Sequence, residues 1–408
     1  RQRVLLAATL ACDPDLLIAD EPTTALDVSV QKDILALIRR LCRDRNMALL
    51  FITHDLNLAP LLTEQVAFMS AGRIEKVVPS AEVVLPALPQ KTERVPTEAV
   101  PVLQAVNLSV SYPGAKQLAV AGVDLELRPG QAVGLLGESG CGKTTLGRTL
   151  VGLEKIHDGH IKFQGRDLAG LSRKELRALR RKIQIIFQDP LSSLNPRMNV
   201  LDIVTEGILA FKLIHGDREK AARGILKDVG LDADALYRYP HEFSGGQRQR
   251  INIARAISLK PDFIVCDEPV SALDVSIQAQ IINLLLDLRE KYHLSYLFIS
   301  HDLSVVSHIA NRIAVMYLGR IVEFGETGDI VFHPKHPYTK ALISAVPQPG
   351  FHREKWPALE GSTPSPSAPP KGCRFHPRCP EVMAVCRKEA PRKTGKDSHT
   401  VCCHLYTK

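Results

Sequence analysis

The glycine-rich segment Gly137-Glu138-Ser139-Gly140-Cys141-Gly142-Lys143-Thr144-Thr145 fixes the class of architecture this chain can adopt. The apolar run 132–136 precedes it and reads as a buried strand, and 146–153 follows and reads as a short helix. Gly137, Gly140 and Gly142 let the backbone turn into a concave nest with its N–H groups pointing inward, and a helix beginning near Lys143 adds its positive end. From there Lys143 can reach the β- and γ-phosphates of a nucleotide, and the Thr144 hydroxyl can complete a Mg²⁺ shell, with Thr145 closing the motif. A full G-x-x-x-x-G-K-T between a strand signal and a helix signal reads as a nucleoside triphosphate site.

The apolar run 263–266 ends in a carboxylate. Asp267, at that strand's edge, is placed to hold a Mg²⁺-bound water near the loop. Glu268 stands one residue further on and is the candidate to orient and polarise the attacking water. His301 follows the apolar run 296–299 and Ser300, from where an imidazole can hydrogen-bond the γ-phosphate. Gln188, just after the run 183–187, can bridge Mg²⁺ and a mobile loop. Phe243-Ser244-Gly245-Gly246-Gln247 opens a helix that reaches about residue 259, before Pro261. Ser244 can cap it, and Gly245 and Gly246 leave its first N–H groups open as a second anion-binding helix end.

The chain repeats itself. Asp20-Glu21-Pro22 matches Asp267-Glu268-Pro269, His54-Asp55-Leu56 matches His301-Asp302-Leu303, and Gly72-Arg73-Ile74 matches Gly319-Arg320-Ile321, each 247 residues on. That is an internal duplication whose first copy enters at its midpoint, and it makes Asp20, Glu21 and His54 a second candidate set. Residues 79–101, rich in Pro, Val, Glu and Thr, read as a linker, and 361–370 as another. Strand signals alternating with helical stretches predict an α/β fold with a mainly parallel sheet, and the polar helical pattern between 195 and 246 predicts a smaller helical subdomain. Within 276–288 apolar residues recur at helical spacing, a stripe facing the core.

A length of 408 residues suggests two or three domains, with 45% apolar and 24% charged residues ordinary for a globular protein. No apolar run approaches the roughly 18 residues of a membrane span, so any membrane role needs a partner. The net charge of +8 is uneven: residues 371–408 hold nine Lys or Arg and three Asp or Glu. Cysteine is uneven too. Cys373, Cys379, Cys386, Cys402 and Cys403 crowd that tail, where thiolates could hold Zn²⁺ or an iron–sulfur cluster, or stay free.

Taken in order, the glycine-rich loop, Gln188, Ser244–Gln247, Asp267-Glu268, the run 271–274 and His301 resemble an ABC-type ATPase. The resemblance covers 102–333 as a complete domain and 1–78 as the later half of another, with 334–408 as a C-terminal extension. It implies that ATP is sandwiched between the loop of one domain and the Ser-Gly-Gly-Gln helix of the other, that Tyr112 stacks on adenine, and that closure drives a membrane permease through the region around Gln188. Gln188-Asp189-Pro190, Tyr239-Pro240-His241-Glu242, His336-Pro337-Tyr338-Thr339 and Gly372-Cys373-Arg374-Phe375-His376-Pro377-Arg378-Cys379-Pro380 look like the ATPase subunits of bacterial dipeptide and oligopeptide importers. Two ATPase units in one chain resemble the fused subtype, which includes glutathione and peptide-antibiotic importers.

By that resemblance the chain is expected to serve two permease subunits and an extracytoplasmic solute-binding protein at the cytoplasmic face of a bacterial inner membrane, with its two ATPase domains pairing once an upstream segment is restored. It also implies that the tail can carry a [4Fe–4S] cluster on Cys373, Cys379, Cys386 and Cys403. The solute stays open between dipeptide, oligopeptide, glutathione and nickel complex. The rival from another class is a tandem ABC ATPase acting on ribosomes or DNA. Aromatic residues at 5%, with basic charge confined to the tail, speak against nucleic acid.

Overall fold

The computed structural model describes residues 2–22, 28–53, 58–70, 72–83, 100–114, 117–213, 216–271, 273–344, 363–396 and 398–407. His54 lies outside them. The chain divides into two compact units, Arg1–Pro89 with Lys340–Glu360, and Gln90–Thr339 with Gly361–Lys408.

The first unit runs α1 (Gln2–Leu10), β1 (Leu16–Asp20), α2 (Val28–Asp44), β2 (Ala48–Ile52), α3 (Ala59–Leu62), β3 (Gln65–Ser70) and β4 (Arg73–Pro79). β1 and β2 pair in parallel, and β3 and β4 form a hairpin. Leu17, Ile34, Ile38 and Met47 make a small core on one side of β1. On the other side, among the described residues, Ile18 is 58% and Leu50 50% exposed.

The second unit begins with β5 (Leu103–Ser111), β6 (Leu118–Leu127), β7 (Ala132–Leu136), α4 (Lys143–Leu150), β8 (Asp158–Phe163), β9 (Arg166–Asp167), α5 (Arg173–Arg180) and β10 (Ile183–Ile186). A helical stretch follows: α6 (Pro190–Ser193), α7 (Val200–Ala210), α8 (Arg218–Asp228) and α9 (Gly245–Ile257). Then come β11 (Phe263–Asp267), α10 (Val275–Tyr292), β12 (Ser295–Ser300), α11 (Leu303–Ile309), β13 (Arg312–Tyr317), β14 (Arg320–Glu326) and α12 (Thr327–Phe332). α13 (Pro337–Ser344) crosses the boundary at 339, and the tail adds the hairpin β15 (Lys393–Lys396) and β16 (His399–Cys402). The main sheet has the order β10-β11-β12-β7-β13-β14-β16-β15, and β6-β5-β8-β9 form a second sheet.

β10, β11, β12, β7 and β13 run parallel, and every residue of β7, β11 and β12 is buried. Continuous apolar runs are what a parallel sheet covered on both faces requires. The helix after the loop starts at Lys143, as expected, so its first turn lies ahead of the apolar pattern that begins at 146. Gly142 sets that start: its φ of 105° suits glycine, and a Cβ there would meet the Ala119 carbonyl oxygen at 2.5 Å.

The elements of the first unit have counterparts at the same offset of 247: β1 and β11, α2 and α10, β2 and β12, β3 and β13, β4 and β14. Even the irregularity between Phe68 and Met69 recurs between Val315 and Met316. The exposed positions Ile18 and Leu50 answer to Val265 and Leu297, both fully buried in the second unit's core beside Leu146 and Leu150 of α4.

The C-terminal extension is built into the second unit. β16 pairs antiparallel with β14, joining Phe324 to Thr400, and extends the main sheet. Beneath it Glu323, fully buried, bonds His399 at 2.7 Å and accepts the N–H groups of Lys335 and His336 at 2.7 and 3.0 Å.

Candidate functional site

The site lies where strands β7, β11 and β12 end. Each is too apolar to leave the core, so each delivers its polar residues just beyond its C-terminal end, where doubly covered parallel sheets bind ligands. In the loop after β7, Lys143 is buried and its Nζ donates to the carbonyl oxygens of Gly137 and Glu138 at 2.8 and 3.0 Å. A side chain at Gly137 would put its Cβ 2.3 Å from the Met316 carbonyl oxygen, so the backbone itself lines the loop. Gly142 at the N-cap of α4 offers no capping side chain, so the first-turn N–H groups suit an anionic acceptor.

The Thr144 hydroxyl donates to Asp267 at 3.0 Å across 123 residues of sequence. Asp267 is 2% exposed, and burial pushes its carboxyl up, with the neighbouring Glu268 charge adding to the rise against the Thr144 bond. Glu268 has a left-handed backbone, φ 45°, a sparsely populated conformation for this residue. Its N–H donates to Ile299 at 3.0 Å, which ties the turn to β12. Gln188 Nε2 donates to its carboxylate at 3.1 Å, and His301 Nδ1 lies 3.4 Å from it. Burial works to raise the Glu268 pKa, but the His301 bond and charge and Lys143 outweigh it, leaving it below the ordinary value. His301 is raised in turn, first by its hydrogen bond to Glu268 and against its own burial.

Tyr112 follows β5 and its hydroxyl bonds the Thr145 hydroxyl at 2.8 Å, with the ring 42% exposed. Ser244 caps α9 in a reciprocal box: the Gln247 N–H donates to its hydroxyl at 3.3 Å, and Gln247 accepts the Ser244 N–H at 3.1 Å. A Cβ at Gly246 would meet Ile277 at 2.6 Å, and Gly245 sits against Leu273. This helix end belongs to the helical stretch. In the first unit Asp20 ends β1, and Glu21 repeats both the left-handed φ, 43°, and the N–H bond, to Ile52 at 2.9 Å.

A buried ammonium, uncapped helix N–H groups and a hydroxyl beside a buried carboxylate fit a triphosphate with Mg²⁺, which Thr144 and Asp267 would hold. The cysteine tail is different. Burial pushes Cys379 and Cys403 up to about 11, and both feel Cys373 and Cys386 nearby. Yet among the described residues no group of three or more His, Cys, Asp or Glu side chains is arranged to hold a metal ion. The expected [4Fe–4S] set of Cys373, Cys379, Cys386 and Cys403 is therefore not supported: the thiols share a neighbourhood without converging on a point.

Pattern reading missed what grips Glu138. Arg378 and Tyr338, picked out above as parts of family motifs, both bond to this loop residue. A charged residue inside an anion-binding loop was the one local signal that a partner had to exist.

Loop, sheet and polar residues at the strand ends define a P-loop α/β ATPase domain. Residues 120–271 match the family model of the ABC transporter, and 322–386 that of the C-terminal region of oligopeptide/dipeptide transporters. A glutathione import ATP-binding protein of Pectobacterium atrosepticum is 42% identical over 416 residues, covering 90% of this chain and 67% of that protein. An oligopeptide transport ATP-binding protein of Bacillus subtilis is 49% identical over 295 residues, 71% of this chain and 90% of the relative. Among solved structures, a component of an ABC transporter complex from Clostridium perfringens aligns with a TM-score of 0.53 at 26% identity, over 59% of this chain and 95% of that one. The chain belongs to the ABC transporter ATPase family, in its oligopeptide, dipeptide and glutathione importer type, and ATP hydrolysis is its reaction. Among the described residues no helix is long and apolar enough to cross a membrane.

Proposed function

We propose that the chain is the ATP-hydrolysing subunit of an importer for peptides or a peptide-like solute such as glutathione. It would work with two permease subunits and an extracytoplasmic solute-binding protein, at the cytoplasmic face of a bacterial inner membrane. The reading rests on what the relatives transport and on the match of 322–386 to the transporter C-terminal region.

In this reading Lys143 and the loop N–H groups take the β- and γ-phosphates, and Tyr112 stacks on adenine. Mg²⁺, held by Thr144 and Asp267 with Gln188 nearby, would neutralise phosphate charge. Glu268 accepts a proton from the attacking water, and His301 holds that carboxylate in place and ionised. Ser244–Gln247 presents its helix end to a triphosphate bound by another lobe. The first unit is the later half of a second cassette, and its open apolar face beside β1 and β2 supports that reading.

The single observation carrying the catalytic assignment is the convergence of Gln188 and His301 on Glu268, next to the Thr144–Asp267 pair. The test is ATPase rate in vesicles containing the permease, with and without loaded binding protein. Stimulation by loaded binding protein is expected. A rate raised by ribosomes or DNA and unmoved by the permease would refute the transport reading.

A further inference from the structure

Glu138 is an unexpected residue in a loop that receives phosphates, because its carboxylate has their sign. Here it is shut away from water. Its side chain is 4% exposed and that of Arg378 3%, and the two meet through a two-pronged pair: Nη1 to Oε2 at 2.7 Å and Nη2 to Oε1 at 3.1 Å. Such a fork fixes orientation as well as charge. Thr363 donates a third bond to Oε2 at 3.0 Å, and the Glu138 backbone N–H donates to the Tyr338 hydroxyl at 3.0 Å.

The side chains behind Arg378 are fixed as well. Rings of Tyr317, Tyr338 and Phe375, all buried, pack with centroids 4.7 to 5.4 Å apart. The Arg378 N–H bonds the Phe375 carbonyl oxygen, and Arg374 donates to the Leu318 carbonyl oxygen. Arg378 itself is flanked by Cys379 and lies on the cysteine-bearing segment, 240 residues from the loop it holds.

We propose that Arg378 is a positioning residue of the ATP site: it neutralises Glu138 and holds the phosphate loop in its receiving shape, so that the folded state of the cysteine-bearing tail is read out as nucleotide affinity. With Arg378 withdrawn, the buried carboxylate loses both prongs of its cationic partner, which is strongly unfavourable. Glu138 must then turn toward water or face the incoming phosphates, and either movement acts on the same backbone that carries the Gly137 and Glu138 carbonyls gripping Lys143. Coupling of this kind is reciprocal, so bound nucleotide must also tighten the tail.

The proposal rests on the nucleotide reading of the loop, which MgADP binding by the unsubstituted chain tests separately. Calorimetric titration of the whole chain with MgADP is compared for Arg378→Gln and for Arg378→Gln with Glu138→Gln, beside KM and kcat for ATP. Arg378→Gln is expected to weaken MgADP and raise KM by about tenfold or more, with kcat changed far less. The second substitution removes the orphaned charge and recovers most of the affinity, a rescue that a general loss of folding would not show. MgADP should also slow amide exchange across residues 375–379 of the unsubstituted chain. Affinity unchanged in Arg378→Gln, or a double variant no tighter than the single, overturns the proposal. If Arg378→Gln does not fold, the exchange measurement decides: no slowing across 375–379 overturns it.

Discussion

Glu268→Gln separates chemistry from architecture at this site. The two side chains have nearly the same shape, so Gln188 can still donate to the remaining carbonyl oxygen over its 3.1 Å bond. What is lost is the charge, the proton acceptor and the 3.4 Å pairing with His301. That pair is partly open to water, His301 at 32% and Glu268 at 15%, so its contribution to stability is about 1 kcal/mol or less. For a chain of this size that moves a melting midpoint by about 2–4 °C at most. The proton acceptor is a different matter, because general base catalysis contributes about 10²- to 10⁴-fold. Removing one negative charge beside Asp267 takes away one influence that raises that carboxyl's pKa, while burial, the largest, remains. The expected outcome is kcat down by about 100- to 10,000-fold with KM for ATP unchanged or lower. Steady-state phosphate release with parallel thermal melts measures both. A kcat within about fivefold of the unsubstituted chain, in a variant that melts normally, would refute Glu268 as the base.

Three further outcomes follow from the same geometry. His301 has a raised pKa through Glu268, so the pair is fully formed below the ordinary His value of about 6.5 and is lost as pH rises through the raised one. It is lost again as pH falls through the lowered Glu268 value. The melting difference between the unsubstituted chain and His301→Gln should therefore shrink as pH rises above the ordinary His value of about 6.5, and a difference independent of pH would count against the pair. Tyr112→Ala should raise KM for ATP by about fivefold or more through lost stacking, whereas Tyr112→Phe, losing only the 2.8 Å bond to Thr145, should change it by less. His399→Leu leaves the fully buried Glu323 without its 2.7 Å partner, though two backbone N–H groups remain. It should cost about 3 kcal/mol in urea unfolding and expose β16 to amide exchange.

Features carried by local pattern were legible in the chain alone. A glycine-rich loop between an apolar run and a helical one located the site. Apolar runs ending in Asp267, Ser300 and Gln188 located the residues around it, since a strand of a doubly covered sheet is a short unbroken apolar segment wherever it stands. The offset of 247 was legible because duplication preserves order and spacing, and the strands, helices and left-handed Glu21 and Glu268 follow it. Which of these residues meet was settled by the three-dimensional packing. Gln188 and Glu268 are 80 residues apart, and Glu138 and Arg378 are 240 apart. A pairing across that distance depends on strand order and on which faces are buried together, and neither leaves a period in the chain. The tail shows this most clearly: composition marked it as a basic, cysteine-rich appendage, whereas β16 completes a ladder on β14 and Arg378 closes on the phosphate loop. An unsatisfied sheet edge and a buried carboxylate supplied the physical need, and only folding brought the residues that met it.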